Sequence, residues 1–157
     1  QLPLFPQLYS KNTDSKIEMA RDLVDYVLQF MPLHSVVFDS WYSDKKLIKK
    51  CMTQKVKVVC AIKSNRTFSM QKGKWKLLSD FLKTLSTGKM ENFFIDEKKY
   101  KILSLVAKLN GIPHVRIIIS KEWNEKYKKL GDFFYLISTK LSDTIKFAGL
   151  SRRTTLT

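Results

Sequence analysis

The fold of this chain is decided by residues 36–68, VVFDSWYSDKKLIKKCMTQKVKVVCAIKSNRTF. Residues 35–39 form an apolar run that is too short for a helix and is typical of a buried strand. Ser43 and Asp44 then predict the start of a helix, and residues 56–62 form a second apolar run. Two continuous apolar strands joined through a helix predict a parallel pair with a right-handed crossover.

An amphipathic helix is predicted before this stretch. Ser15 and Glu18 match the capping-box pattern, and apolar residues follow them at alternating spacings of three and four up to Met31. We expect the helix to end at or before Pro32, because the residue preceding a proline avoids helical backbone angles. The order helix, strand, helix, strand predicts an α/β fold.

The chain beyond these elements has a different pattern. Apolar residues between 75 and 85 predict a third amphipathic helix. Asn110-Gly111 is a tight-turn signal between two strand-like runs, residues 99–109 and 112–120, and residues 133–138 are a further strand candidate. We therefore predict an α/β half followed by a mainly β half.

Positive charge is concentrated in one part of the sequence. The 157 residues include 29 Lys and Arg against 14 Asp and Glu, and residues 45–89 hold 13 of these basic residues against one acid, Asp80. Cations interleaved with amide and aromatic side chains are typical of nucleic-acid binding, whereas the alternative is a solvated basic face. The DNA contacts that this composition predicts are Lys72, Lys74, Trp75 and Lys76.

Other classes of protein find little support. No run of 18 apolar residues exists, so we expect no membrane partner. The five glycines are isolated and form no phosphate-binding loop, so we expect no nucleotide cofactor. Cys51 and Cys60 match no zinc or redox spacing, which favours a cytoplasmic location, associated with the nucleoid if DNA is the partner.

Asp39 is the candidate for chemistry because it closes the first predicted strand. Ligands of open α/β sheets gather beyond the carboxyl ends of strands, and an acid beside a cationic segment suits phosphodiester chemistry by divalent metals. The alternative is that Asp39 caps a turn or helix, since Asp side chains readily bond nearby backbone amides. Asp44, Glu122 and Glu125 are better explained as helix-start and strand-end polar residues than as further metal ligands.

Residues 36–68 resemble the segment around the second catalytic aspartate of bacterial insertion-sequence transposases with a DDE active site, the cut-and-paste kind with a ribonuclease-H-like fold. The stretch at residues 2–11, LPLFPQLYSK, is similar to the one that precedes this aspartate in the family. The stretch at residues 133–143, FFYLISTKLSD, is similar to the strand before the last conserved block of the family. The resemblance therefore extends over residues 2–145.

This resemblance implies roles for individual residues. Asp39 corresponds to the second metal-binding aspartate, and magnesium is the implied cofactor of the intact enzyme. Trp41 and Tyr42 match the aromatic pair beside that aspartate. The polar stretch that lies along the DNA in the family is matched by Lys63, Asn65 and Arg66.

The resemblance also implies a domain division and a loss of activity. Residues 1–66 would form a partial ribonuclease-H-like catalytic core, residues 67–140 a β-rich insertion region, and residues 141–157 a truncated or frameshifted tail. In the family, two aspartates and one glutamate hold two magnesium ions that support DNA cleavage and strand transfer. Only Asp39 matches one of these acids, and no acid follows Asp143. We therefore expect a transposase fragment that binds DNA and is inactive alone.

Two other hypotheses remain. The first is a non-catalytic basic nucleic-acid-binding module in which Asp39 serves only as a cap. The second is a remnant that pairs with a full-length transposase and inhibits it. DNA is the partner expected under the leading hypothesis, and a second transposase chain is the other partner considered.

Overall fold

The computed structural model of the chain describes residues 15–142. This part of the chain contains three α-helices, α1 (Lys16–Phe30), α2 (Lys45–Thr53) and α3 (Leu78–Thr84), and two short 3-10 helices, Ser40–Tyr42 and Thr87–Lys89. The strands of the same residues are β1 (Ser35–Phe38), β2 (Lys57–Ala61), β3 (Thr67–Gln71), β4 (Lys74–Leu77), β5 (Glu91–Ile95), β6 (Lys98–Leu109), β7 (Ile112–Asn124) and β8 (Lys129–Ser138).

Both ends of α1 follow the sequence signals, so its prediction is confirmed. The Ser15 hydroxyl accepts a hydrogen bond from the Glu18 backbone N–H, and the Glu18 carboxylate accepts one from the Ser15 N–H at 2.9 Å. The two bonds satisfy backbone donors that the first turn of a helix leaves free. The helix ends at Phe30, two residues before Pro32.

The start of α2 is set by Asp44. Its carboxylate accepts hydrogen bonds from the backbone N–H groups of Lys46 and Leu47, at 2.7 and 3.2 Å. The predicted cap is therefore present. The apolar side of the helix, which includes Ile48 and Cys51, is fully buried.

β1 and β2 form the predicted parallel pair. Their register runs from Ser35 opposite Lys57 to Phe38 opposite Cys60. β1 is the terminal strand of the sheet, and 77% of the Val37 surface is exposed on it.

The described strands form one eight-stranded, mainly antiparallel sheet. Its order is β1-β2-β8-β7-β6-β3-β4, with β5 paired to β6. β8 lies between β2 and β7 and is antiparallel to both. The fold is therefore mixed α/β, as predicted. A single sheet also continues across residue 66, where the sequence suggested a boundary between two regions.

The helix expected from residue 75 begins three residues later, so that part of the prediction is wrong. Trp75 lies in β4, which pairs with β3 around a turn at Gly73. The φ angle of Gly73 is 79°, a left-handed conformation that glycine adopts without steric cost. The turn places residues 74–77 in a hairpin, and α3 starts at Leu78. The sequence analysis did not predict β3, β4 or β5.

The main core lies between the helices and one face of the sheet. Phe68 of β3 packs edge-on against Phe81 of α3, with ring centroids 5.3 Å apart. Buried aliphatic side chains from α2, β2, β7 and β8 complete this core: Leu47, Ile48, Val58, Ile117, Ile119 and Ile137. A smaller cluster of Phe93, Ile102 and Ile118 lies apart from it. No helix within residues 15–142 is both long and apolar enough to cross a membrane.

Candidate nucleic-acid interface

The carboxyl ends of β1 and β2 bring two predicted site segments to one edge of the sheet. Phe38 pairs with Cys60, and because the strands are parallel, the residues that follow each strand leave at the same edge. Residues 39–42 follow β1, and residues 63–66 follow β2. The two segments lie far apart in sequence and meet here because of the crossover through α2.

Asp39 is exposed at this edge and caps the short 3-10 helix Ser40–Tyr42. Its Oδ1 atom accepts a hydrogen bond from the Ser40 backbone N–H. The structure therefore contains the cap that was the alternative explanation for Asp39. Among residues 15–142 this is the one hydrogen bond that the Asp39 carboxylate makes.

Trp41 and Lys63 form a direct contact across the edge. The Lys63 ammonium lies 4.7 Å from the centroid of the Trp41 ring. Trp41 remains 76% exposed, which is unusual for a large apolar side chain. A wide, exposed ring beside a cation combines a stacking surface with a phosphate-binding group.

Tyr42 and Arg66 are less exposed than Trp41 and contact neighbouring parts of the fold. Tyr42 is half-buried, with its ring centroid 6.4 Å from that of Phe38. The Arg66 guanidinium donates to the backbone carbonyl of Ser43, and to its hydroxyl at 3.3 Å. Arg66 therefore joins the loop after β2 to the residue before the cap of α2. Asn65, in the same loop as Arg66, is exposed.

The β3–β4 hairpin continues the interface from this edge. The backbone N–H of Leu78 donates to the carbonyl of Arg66 at 2.9 Å, and that of Ser79 to the carbonyl of Ser64 at 2.8 Å. These bonds hold the base of the hairpin against the loop after β2. The predicted contacts on the hairpin are all exposed: Lys72, Lys74, Trp75 and Lys76.

Few of the basic residues near this interface are neutralised by acids. Asp80 pairs with Lys83 at 3.0 Å. Asp25 of α1 pairs with Lys50, and the hydrogen bond from Lys50, followed by one from Gln54, holds the pKa of Asp25 below its ordinary value. Among the described residues no salt bridge involves Lys63 or the three hairpin lysines, which leaves them available to an anion.

The described residues do not form a complete metal site. Within residues 15–142 there is no group of three or more His, Cys, Asp or Glu side chains that could hold an ion. Glu122 and Glu125 instead pair with Lys98 and Lys128, at 2.9 and 2.8 Å. Asp39 therefore stands without a second ligand among residues 15–142, which hold only one of the carboxylates that the resemblance implies for magnesium.

The cysteines are buried and do not contribute to a site. Cys51 and Cys60 are both fully buried free thiols. Burial raises the pKa of Cys60 to about 12 and also raises that of Cys51. Neither thiol is a nucleophile or a metal ligand in this state, because both roles require the thiolate.

Sequence reasoning missed a second group of lysines and aromatic rings on β6, β7 and β8. Lys99 lies 5.7 Å from the ring centroid of Trp123, and Lys121 lies 4.2 Å from that of Phe133. The cluster of three lysines and a tyrosine in KKYK, residues 98–101, is the only sequence signal for this group. The contacts themselves depend on strand register, which the sequence did not give.

Comparison with known protein families finds a match over part of the chain. Residues 9–81 match the family model described as archaeal putative transposase ISC1217. This match supports a DDE-type transposase and, through it, a role in DNA transposition. The matched region, slightly less than half of the chain, includes Asp39 and every residue predicted to contact DNA. The family description is archaeal, so the bacterial kind expected from the sequence is not confirmed. No curated protein matches the chain.

Proposed function

We propose that this chain is part of a DDE-type transposase and binds DNA along the carboxyl edge of β1 and β2 and along the β3–β4 hairpin. The observation that carries the proposal is the contact between Lys63 and Trp41 beside Asp39, because it gathers a cation, a stacking surface and an acid from two segments. The local charge, 13 basic residues against one acid over residues 45–89, supports a polyanionic partner.

The ribonuclease-H-like fold of the catalytic region is part of the same proposal. Its support is the β1–α2–β2 unit, with an acid directly after the first of two parallel strands. Such a strand end is where ligands of α/β sheets bind. Asp39 would supply one carboxylate to magnesium in the intact enzyme. The other acids would come from outside residues 15–142, so we expect this part of the chain to cleave no DNA alone.

A second transposase chain is the other proposed partner. β1 ends the sheet with no strand beyond it among the described residues, and its Val37 is largely exposed. An open strand edge is a template for pairing with another strand. This edge supports association with a further chain.

A non-catalytic nucleic-acid-binding module is the second candidate function. It is favoured by the hydrogen bond from the Ser40 N–H to Asp39, which gives that carboxylate a structural role without any metal. Both candidates predict the same DNA surface. They differ in whether Asp39 of an intact homologous enzyme is needed for activity or only for stability.

The DNA surface is tested with a triple variant, Lys72→Ala/Lys74→Ala/Lys76→Ala, titrated into labelled duplex DNA at several salt concentrations. Each lost phosphate contact lowers the slope of log K against log salt by about 0.9. We therefore expect the slope to fall by about 2 to 3 and binding at low salt to weaken strongly.

The matched control is Lys83→Ala/Lys98→Ala/Lys128→Ala, which removes the same charge from lysines that are paired with carboxylates. We expect its slope to change by less than about 1. Equal losses in both variants would mean that net charge alone drives binding, and the proposed surface would be wrong.

A further inference from the structure

Lys101 and Lys121 lie directly opposite each other in the β6–β7 ladder. Residues in this position share one face of the sheet, and like charges placed there destabilise it. Neither lysine makes a salt bridge with any residue in the 15–142 range. The two acids nearest to Lys121 in the sequence, Glu122 and Glu125, pair with other lysines. An anionic ligand would relieve this repulsion, which the protein leaves uncompensated.

Aromatic rings flank this lysine pair. Trp123 and Phe133 are both half-buried, and each has a lysine ammonium over its ring, Lys99 and Lys121 respectively. A nucleobase stacks on an aromatic ring more strongly than an exposed ammonium does. A base can therefore replace the ammonium on either ring, and the released lysine can then bind a phosphate.

The five residues form a continuous surface, the lysine–aromatic strip: Lys99, Lys101, Lys121, Trp123 and Phe133. Lys101 and Lys121 continue the sheet face of Leu103 and Ile119, which pack into the core. Phe133 packs against that core, so the strip runs outward from the core along this face. It also lies outside residues 9–81, so the family match says nothing about it.

We propose that the lysine–aromatic strip binds single-stranded DNA, with Trp123 and Phe133 stacking on bases and the three lysines contacting phosphates. A paired duplex keeps its bases stacked inside and offers none to these rings, so the strip prefers unpaired strands. The backbone N–H of Ile62 donates to the carbonyl of Tyr135 at 3.1 Å. Phe133 is two residues from Tyr135 on β8, so the strip begins next to the proposed duplex interface. None of the five strip residues belongs to that interface.

The test uses Trp123 as the reporter of its own site. The chain has three tryptophans, and Trp41→Phe/Trp75→Phe leaves Trp123 as the only one. Both substituted tryptophans belong to the proposed duplex interface. The remaining tryptophan fluorescence therefore comes from the strip and not from that interface. We expect saturable quenching of Trp123 by oligo(dT) of about 16 nucleotides and much weaker quenching by a duplex of the same length. Unchanged Trp123 fluorescence on addition of oligo(dT) would overturn the proposal.

A charge variant provides the second readout. Lys101→Ala/Lys121→Ala should weaken oligo(dT) binding about tenfold and lower its salt slope by about 1.4. Because the substitution removes a repulsive pair, we also expect the melting temperature to rise by about 1 to 3 °C. Weaker binding with higher stability is a combination that a merely structural role for these lysines would not produce.

The matched control for this variant is Lys83→Ala/Lys108→Ala. Lys83 is paired with Asp80, and Lys108 is an exposed residue of β6 that lies opposite His114. The control removes the same charge and should change oligo(dT) affinity by less than about twofold. Equal losses in the variant and the control would overturn the proposal. Duplex binding by the hairpin variant is a separate measurement, so failure of one surface can be told from failure of the other.

Discussion

Arg66 provides a sharp test because the resemblance and the structure assign it different roles. The resemblance implies a DNA contact, whereas the structure shows its guanidinium donating to the carbonyl and hydroxyl of Ser43. Ser43 is only 2% exposed, so its carbonyl cannot turn to water when the donor is removed. Arg66→Ala therefore leaves a buried acceptor without a partner.

The size of the effect follows from this geometry. Hydrogen bonds to charged groups contribute about 1.5 to 3 kcal/mol each, so we expect Arg66→Ala to lower the free energy of unfolding by about 2 kcal/mol. For a chain of this size the melting temperature should fall by roughly 4 to 8 °C. Arg66→Lys keeps the charge but loses the planar fork of donors, and we expect it to recover part of this loss.

Urea unfolding of the three proteins measures the effect directly. The midpoint should decrease from wild type through Arg66→Lys to Arg66→Ala, with an unchanged slope of free energy against urea. Duplex binding is then measured on the same samples below their unfolding transitions. If Arg66→Ala is as stable as wild type within about 0.5 kcal/mol and yet binds DNA poorly, the structural assignment is wrong and the DNA contact is favoured.

Three further predictions concern Asp39 and the cysteines. Asp39→Ala should lower the free energy of unfolding by about 0.5 to 2 kcal/mol because it removes the cap on Ser40, and Asp39→Asn, which keeps an acceptor, should restore most of it. Wild-type stability of Asp39→Ala in urea would contradict the cap. Cys51 and Cys60 should be unreactive towards a thiol reagent in the native protein and react fully in urea, so rapid labelling of the folded chain would contradict their burial. Between pH 9.0 and about 12 the Cys60 thiol stays protonated in the folded chain but loses its proton in the unfolded chain. The free energy of unfolding should therefore fall as the pH rises through this range, and it should fall less in Cys60→Ala.

The sequence predicts well those elements whose signals are local. The Ser15 and Glu18 pair marks the start of α1 through bonds within one turn, and Asn110-Gly111 marks the β6–β7 turn within two residues. Trp75 misled the helix prediction because it lies at a helical spacing from Leu78 and Leu82, whereas the turn at Gly73 places it in β4, paired with β3.

The order of strands in the sheet and the lysine–aromatic strip could not be predicted. β2 pairs with β8, so Val59 lies opposite Ser138, and nothing near either residue in the sequence specifies the other. The contact between Lys121 and Phe133 depends in the same way on the register of β7 and β8. For the candidate site, the position of Asp39 at a strand end was predictable, whereas the structural contact of Arg66 with Ser43 was not.

The position of β8 has a consequence for how the chain folds during synthesis. β1, α2 and β2 leave the ribosome well before residues 129–138, yet the free edge of β2 is completed only by β8. Pairings between distant residues make folding slow, and an uncovered strand edge promotes aggregation in the meantime. The region that matches the transposase family, residues 9–81, therefore does not contain the strand that joins its parallel pair to the rest of the sheet. Proteins shortened before residue 129 should accumulate as aggregates, because the family region depends on a strand outside it for its native contacts.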